Sequence, residues 1–168
     1  RLEWLAVRRL LHELGVDARL VMYHPSGRPY LRGDCNCHIS ISHTRGYAAV
    51  ALHPGTPIGI DIEQKGDKVM RVRNKFASAT EEAGIIAPAG NSTDVQKALL
   101  TLWSAKETIF KLIDLPGIDF AEHLHVHPFG IAEQGEFTAH ESFTKDMHNF
   151  RIHYHNFPDF IFTYGFVI

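Results

Sequence analysis

The stretch Ile58-Gly59-Ile60-Asp61-Ile62-Glu63 alternates apolar and acidic side chains, which predicts a β-strand. Successive side chains of a strand point to opposite faces, so the isoleucines share one face and Asp61 and Glu63 share the other. Gly59 is expected to leave open space before the two carboxylates. Paired carboxylates on rigid backbone are the hard oxygen ligands that Mg²⁺ takes from a protein. Taken alone, the stretch favours the alternative, a half-buried strand with a solvated acidic face.

The composition bounds the class of protein. The 168 residues are enough for one domain or two small halves with a sizeable core. The net charge of −2 does not favour a nucleic-acid or membrane-surface partner. No apolar run reaches the roughly 18 residues of a membrane span. No signal peptide is visible, and Arg1 falls inside a helical pattern, so the true N-terminus is expected to be missing.

Cys35 and Cys37 are the only cysteines of the chain. A Cys-x-Cys pair supplies too few ligands for a zinc site and is poorly spaced for a disulfide. Two reduced thiols in a cytoplasmic protein are therefore predicted.

Histidines alternate in two places, at His123, His125 and His127 and again at His153 and His155. A metal site at such a cluster is one interpretation. The favoured interpretation is exposed polar positions on strands, because no Cys, Asp or Glu set completes a group of ligands nearby.

The N-terminal part contains candidate cations. Residues 2–14 have the spacing of an amphipathic helix that ends at Gly15, and Arg8 lies within it. The loop Gly27-Arg28-Pro29 holds the backbone of Arg28 between a glycine and a proline, so its guanidinium can be aimed at a phosphate. An exposed arginine in a turn is the alternative.

Two strands are predicted before the opening stretch. Residues 39–44 alternate, with Ser42 on the polar face and His43 near the end, and residues 47–52 form the next strand. A short loop then leads to Ile58, so the second strand is expected to pair with the acidic strand as an antiparallel hairpin. A hydrolase site is disfavoured because the chain has no Gly-x-Ser-x-Gly elbow, and anion binding by the hydroxyl and imidazole suits the pattern at least as well.

A long helix is predicted over residues 93–113, opened by a Thr-x-x-Gln capping box. Lys106 interrupts its apolar stripe, so its charge must either reach solvent or meet a fixed anion. Glu107 and Lys111 lie four residues apart along the edge of that stripe. A surface ion pair of about 0.3–0.5 kcal/mol is the alternative for them. Beyond the helix, residues 135–143, 150–154 and 160–167 are predicted strands.

Four motifs occur in order along the chain: Gly27-Arg28-Pro29, Ile41-Ser42-His43-Thr44, Gly59-Ile60-Asp61-Ile62-Glu63, and Trp103-Ser104-Ala105-Lys106-Glu107 followed by Lys111. Together they resemble the Sfp-type 4′-phosphopantetheinyl transferases over about residues 2–129. The resemblance implies an α+β fold of two similar halves about a pseudo-twofold axis, here residues 1–54 and 55–168. It also implies transfer of the 4′-phosphopantetheine of coenzyme A to a serine of an apo acyl or peptidyl carrier protein, with release of adenosine 3′,5′-bisphosphate. A cytoplasmic monomer is expected.

The resemblance also implies roles for single residues. Asp61, Glu63 and Glu107 would ligate Mg²⁺ together with the coenzyme pyrophosphate. Residues bordering coenzyme A would be Arg8, Gly27, Arg28, Pro29, Ser42, His43, Lys106 and Lys111. Among these, Ser42 and His43 would contact the phosphates, the 3′-phosphate in particular, and Lys106 would face the pyrophosphate. Glu107 would deprotonate the serine, directly or through a water, with Lys111 at the transfer centre.

Two other functions are consistent with the sequence. One is a non-catalytic module that binds coenzyme A or a carrier protein, and the other is an unrelated Mg²⁺ phosphohydrolase built on the Asp-x-Glu pair. The carrier protein is not named by any residue, although the basic run over residues 65–75 suits an acidic partner helix.

Overall fold

The structure is a computed structural model that describes residues 2–33 and 36–168. Over that part of the chain the fold is α+β, as predicted. The strands are β1 (Val21–Tyr23), β2 (Pro29–Leu31), β3 (Cys37–Thr44), β4 (Tyr47–Pro54), β5 (Gly59–Gln64), β6 (Leu124–Val126), β7 (Gln134–Glu141), β8 (Asn149–Asn156) and β9 (Phe160–Val167). The helices are α1 (Leu2–Glu13), α2 (Lys68–Val72), α3 (Ala79–Glu81), α4 (Ser92–Ile113) and α5 (Phe120–His123).

Two predictions fall partly on residues outside the described part of the chain. These are Arg1, at the expected truncation, and Cys35, one of the two expected thiols. Cys37 carries a free thiol. None of the helices in the described ranges is long and apolar enough to cross a membrane.

The main sheet has five antiparallel strands in the order β5-β9-β8-β7-β6, and α4 packs across β5, β9 and β8. The three strands predicted in the C-terminal part are confirmed as β7, β8 and β9. Gly59 of β5 pairs with Gly165 of β9 beneath the helix. A Cβ atom on Gly59 would lie only 2.5 Å from the carbonyl oxygen of Thr108. The expectation of open space at Gly59 is therefore wrong, because the backbone of α4 fills it.

The predicted hairpin between β4 and β5 is also wrong. β4 pairs with β3, and β5 pairs with β9, which is almost a hundred residues away in the chain. The other edge of β5 faces β3. The side-chain hydroxyls of β3 accept hydrogen bonds from the backbone N–H groups of β5. The pairs are Ser40 with Ile60 (3.1 Å), Ser42 with Ile62 (3.3 Å) and Thr44 with Gln64 (3.5 Å). Hydroxyl groups thus replace a backbone ladder along this edge.

The long helix begins one residue before the predicted capping box. Asn91 is its N-cap, and the side-chain oxygen of Asn91 accepts a hydrogen bond of 3.0 Å from the N–H of Asp94. Asparagine is among the best N-cap residues, so it takes the role assigned to Thr93. The helix ends at Ile113, because the C-cap residue Asp114 has a left-handed φ of 53°.

The buried apolar residues form two clusters. The smaller contains Val7, Leu11 and Ile39 and lies under α1, the helix predicted for residues 2–14. The larger surrounds α4 and the five-stranded sheet, with all its buried members in residues 69–161. Each cluster thus has a helix packed on antiparallel strands. The division at residue 54 and the pseudo-twofold relation stay predictions.

The connection from β7 to β8 is held by a buried carboxylate. Glu141 is fully buried and accepts backbone hydrogen bonds from Phe143 (2.7 Å), Thr144 (2.7 Å) and His148 (2.9 Å). The Thr144 hydroxyl donates to it as well. Burial acts to raise the pKa of Glu141, but the hydrogen bonds from Thr144 and His148 outweigh it and lower the pKa to about 2.

Replacing Glu141 with glutamine should destabilise the fold in a pH-dependent way. At pH 7 the free energy of unfolding should fall by about 2 kcal/mol, because hydrogen bonds to a charged group are lost. A depressed carboxyl pKa stabilises the protein above the ordinary pKa of 4.5, and this stabilisation is lost as the pH falls toward about 2. Urea denaturation at pH 7 and at pH 3 measures both effects.

The matched control is Glu136→Gln on the same strand, where the side chain is 60% exposed. Its effect should stay within about 0.5 kcal/mol at both pH values. A Glu141→Gln variant that loses equal stability at both pH values would contradict the stabilising role of the ionised Glu141 carboxylate.

Candidate functional site

The carboxylate of Asp61 lies at the junction of three elements. Asp61 is only 4% exposed, so the solvated acidic face favoured by the isolated stretch is wrong. Its Oδ1 atom accepts hydrogen bonds from the hydroxyl of Ser42 on β3 (2.8 Å) and the ammonium of Lys111 on α4 (2.9 Å). Its Oδ2 atom accepts from the hydroxyl of Ser104 on α4 (2.9 Å). The side chain is thereby held in one orientation.

A chain of buried hydroxyls continues from Ser104 into the core. The Ser104 hydroxyl lies 2.9 Å from that of Thr163 on β9, which lies 2.7 Å from that of Thr108. Sequence reasoning included Ser104 in a motif without giving it a role, and it missed Thr163. Ser104 and Lys111 are seven residues apart and therefore on one face of α4, which was an available signal. Nothing local in the sequence points to Thr163, because its strand pairs with β5 only in the tertiary structure.

The other two predicted metal ligands share this environment. The Glu63 carboxylate accepts a hydrogen bond of 2.8 Å from the indole N–H of Trp103. Burial raises the pKa of Glu107 to about 7, with the charges of Asp61 and Glu63 adding to the rise and Lys111 opposing it. Burial also raises the pKa of Glu63. The hydrogen bond from Trp103 opposes this rise, and the charge of Asp61 adds to it. The three carboxylates therefore repel one another.

This donor set fits a hard divalent cation by its chemistry. Three carboxylates at short electrostatic range are the ligands that Mg²⁺ and Ca²⁺ prefer, and a cation would relieve their repulsion. In residues 2–33 and 36–168, no group of three His, Cys, Asp or Glu side chains is already arranged to hold a metal ion. Both oxygens of Asp61 are instead engaged by Ser42, Ser104 and Lys111.

A cavity of about 200 Å³ brings together predicted residues from distant parts of the sequence. Residues 27–29 line it from the turn between β1 and β2, which pair with each other, and Glu107 and Lys111 line it from α4. Arg28 is partly buried, with its guanidinium 4.0 Å from the carboxylate of Asp114 at the end of α4. One arginine, one lysine and two carboxylates, Glu107 and Asp114, thus face a common space large enough for part of a small polyanion.

Three other predicted residues are not part of the lining of this cavity. The Ser42 hydroxyl is buried and is used by Asp61 and by the N–H of Ile62. His43 is exposed, and adjacent residues of a strand face opposite ways, so β3 does not present both side chains to one ligand from the same face. Arg8 is exposed on α1, where its guanidinium lies 4.0 Å from the ring centroid of Trp4.

The structure also gives Lys106 another role than the predicted one. Lys106 is fully buried, and its ammonium donates to the carbonyl oxygens of Phe76 (2.7 Å) and Phe120 (2.7 Å) and to the carboxylate of Glu81 (2.8 Å). Its three N–H donors are therefore all used within the protein. Burial lowers the pKa of Lys106, and the charge of Glu81 opposes this. The fixed anion that Lys106 needs is Glu81, and a pyrophosphate is not required to explain it.

A second and larger cavity, of about 510 Å³, lies beside Glu63. Its lining includes the aromatic rings of Trp103 and Phe120 together with Lys68 and Lys75. Two lysines of the basic run seen in the sequence therefore border the same space as a predicted metal ligand. The sequence did not reveal this cavity, because its walls come from segments far apart in the chain.

Residues 57–164 match a family model described as the 4′-phosphopantetheinyl transferase superfamily. The chain is 26% identical over 109 residues to the 4′-phosphopantetheinyl transferase psf-1 of Bacillus pumilus, which covers 63% of this chain and 46% of that protein. It is 29% identical over 103 residues to the 4′-phosphopantetheinyl transferase Sfp of Bacillus subtilis (strain 168), which covers 59% of this chain and 45% of that protein. The chain thus spans about half the length of the curated relatives that it matches.

Replacing Lys106 with methionine should destabilise the fold strongly, because it leaves the buried Glu81 carboxylate without a charge partner. We expect the free energy of unfolding to fall by about 3–5 kcal/mol. Lys97→Met is the matched control on the same helix, since the Lys97 ammonium is partly exposed and lies 3.4 Å from Asp94. That change should cost less than about 1 kcal/mol. Thermal and urea unfolding measure both, and equal effects of the two variants would rule out the structural role of Lys106.

Proposed function

The chain belongs to the 4′-phosphopantetheinyl transferase superfamily, and from this membership we propose that it transfers the 4′-phosphopantetheine group of coenzyme A to a serine hydroxyl of an apo acyl or peptidyl carrier protein. The observation that carries the proposal is the cavity of about 200 Å³ where Arg28 meets Glu107 and Lys111. Two cations and a proton acceptor beside one space are what a pyrophosphate and an attacking hydroxyl require.

In the proposed reaction the serine oxygen forms a bond to the phosphorus that carries the pantetheine group. The bond from that phosphorus to the oxygen bridging the two phosphates breaks, and its electron pair leaves with adenosine 3′,5′-bisphosphate. The hydroxyl proton passes to a base of the enzyme. Such a phosphoryl transfer depends mainly on positioning and on neutralising charge.

Glu107 is the proposed base, acting directly or through a water molecule. Without a metal ion, burial and the charges of Asp61 and Glu63 raise the pKa of Glu107 to about 7; a bound cation would lower it and keep the carboxylate ionised as a proton acceptor. Lys111 is the proposed cation at the transfer centre. Its ammonium is held 2.9 Å from both the carbonyl oxygen of Ile60 and the carboxylate of Asp61, which aims its charge before the substrate arrives.

Residues 27–29 are proposed to border the adenine and its phosphate. Arg28 offers a planar fork of N–H donors, and its partial burial beside Asp114 limits its motion. The Arg8 and His43 contacts to coenzyme A, expected from the resemblance, stay predictions. Ser42 acts on the substrate through Asp61, which its hydroxyl orients at 2.8 Å.

Asp61, Glu63 and Glu107 are the residues that would hold Mg²⁺. When bound, the ion supplies neutralisation of the charge that builds on the pyrophosphate. Asp61 Oδ1 accepts from both Ser42 and Lys111, whereas Oδ2 accepts only from Ser104, so a lone pair for the ion remains on Oδ2.

The proposed protein partner is an acidic carrier protein. Lys68 and Lys75 line the cavity of about 510 Å³ together with Trp103 and Phe120, so positive charge and aromatic surface lie together beside Glu63. This combination suits a partner with acidic and apolar side chains around its serine. The identity of the carrier, the monomeric state and the cytoplasmic location stay predictions.

Incubation of the protein with coenzyme A, Mg²⁺ and a panel of apo carrier proteins tests the proposal by intact-mass spectrometry. We expect one carrier or more to gain one phosphopantetheine group, and the gain to disappear when EDTA removes the metal. Asp61→Asn and Glu107→Gln should each lower kcat/KM by about 100-fold or more, because charge stabilisation or proton transfer is lost.

Glu122→Gln, which changes an exposed carboxylate on α5, is the control and should leave the rate unchanged. Circular dichroism and thermal unfolding show whether each variant keeps its fold. Undiminished transfer by both site variants, or coenzyme A binding without transfer to any carrier, would overturn the proposal.

A further inference from the structure

Two imidazoles face each other on the β6–β7 edge of the main sheet. His127 follows the last residue of β6 and continues the pairing, since its N–H donates to the carbonyl oxygen of Thr138 (3.0 Å). His140 lies two residues farther along β7, a diagonal neighbour on the same strand pair. The Nε2 atom of His127 lies 3.1 Å from the Nδ1 atom of His140. Neither residue has a part in the proposed transfer reaction.

The distance between these nitrogens is that of two ligands of one metal ion. Nitrogens about 2.0–2.1 Å from a shared ion are separated by about 2.9–3.4 Å, depending on whether the geometry is octahedral or tetrahedral. When both imidazoles are neutral, a single proton lies between the two nitrogens. If His140 carries that proton on Nε2 instead, both nitrogens have a lone pair for an ion, and no net proton is released. An ion about 2.0–2.1 Å from both nitrogens would lie to one side of the line that joins them.

The surroundings favour this arrangement. The Nδ1 atom of His127 lies 2.7 Å from the Thr138 hydroxyl, which leaves Nε2 as the lone-pair atom when Nδ1 donates. The ring of His140 stacks on His125, with ring centroids 4.7 Å apart and planes 26° from parallel. His125 is held in turn by the Ser142 hydroxyl, 3.0 Å from its Nε2 atom. His125 therefore supports the His140 ring and is not a ligand.

We propose that His127 and His140 form a two-imidazole chelate for a borderline transition-metal ion, of the class of Ni²⁺, Cu²⁺ and Zn²⁺, with water completing the coordination. Imidazole nitrogens prefer these ions to Mg²⁺, so the site would not compete for the metal of the carboxylate cluster. The two sites are at opposite edges of the sheet, because β5 and β6 are its outer strands. Two protein ligands agree with the absence of a three-residue metal group in the described ranges.

The bound ion would tie the end of the three-residue strand β6 to β7. Because the chelate exists only when the strands are paired, binding stabilises the folded protein. One charge opposes the ion, since Arg151 on β8 is the register partner of Thr138. Arg151 is exposed, and its removal should tighten binding if the ion lies beside it.

Titration calorimetry with NiCl₂ in excess Mg²⁺ tests the proposal on the whole chain. The Mg²⁺ competes for the carboxylates, and the histidine variants identify the Ni²⁺ that is bound by the imidazoles. We expect one Ni²⁺ per chain in the wild type and a loss of affinity of at least tenfold in both His127→Gln and His140→Gln. Arg151→Gln should bind more tightly than the wild type, a gain that a merely damaged fold does not produce.

Two controls separate this site from others. His155→Gln on β8 and Cys37→Ser on β3 should each bind Ni²⁺ like the wild type. Ni²⁺ should also raise the Tm of the wild type and leave that of His140→Gln unchanged. Unchanged Ni²⁺ binding in both histidine variants, or no binding by the wild type, would overturn the inference, and neither result bears on the transfer reaction.

Discussion

The rest of the structure depends on a buried carboxylate that is satisfied from several directions. Asp61 accepts hydrogen bonds from Ser42, Ser104 and Lys111, which belong to β3 and to two turns of α4. An isolated charge in the core costs several kcal/mol, so these elements must stay in place around it. The same contacts that hold the elements together orient the carboxylate. Stability and the candidate site are therefore properties of one hydrogen-bond network.

The site lies at a seam between two sheets. One edge of β5 makes a regular backbone ladder with β9, and the other meets the hydroxyls of β3. A link through a serine side chain is longer than a direct hydrogen bond between two backbones. It holds the strands farther apart, so β3 and β5 belong to different sheets. The helix α4 can approach β5 because Gly59 has no side chain, whereas the missing side chain of Gly165 on β9 makes room for Ile152 of the neighbouring strand β8. Together these contacts place the N-terminal residues 27–29 next to Glu107 and Lys111.

Two lysines on α4 have different roles, one in the core and one at the candidate site, because they lie on different faces of the helix. Lys106 and Lys111 are five residues apart, or about 140° around the helix axis, so they face different surroundings. Lys106 meets Glu81 in the core, whereas Lys111 reaches Asp61 at the edge of a cavity and remains 27% exposed. The buried lysine is saturated by protein acceptors. The partly exposed Lys111 can still contact a substrate phosphate.

The sequence by itself determined the elements whose signal is local: the helix over residues 93–113, strand β5 and the three C-terminal strands. It also determined the family, because four motifs in a fixed order are more specific than any one of them. Only the tertiary structure decided which groups meet. The β9 partner of β5, the Glu81 partner of Lys106 and the contact of His127 with His140 are invisible to periodicity. The physical reason is that periodicity reports which face a side chain occupies, whereas its partner depends on packing between segments far apart in the chain.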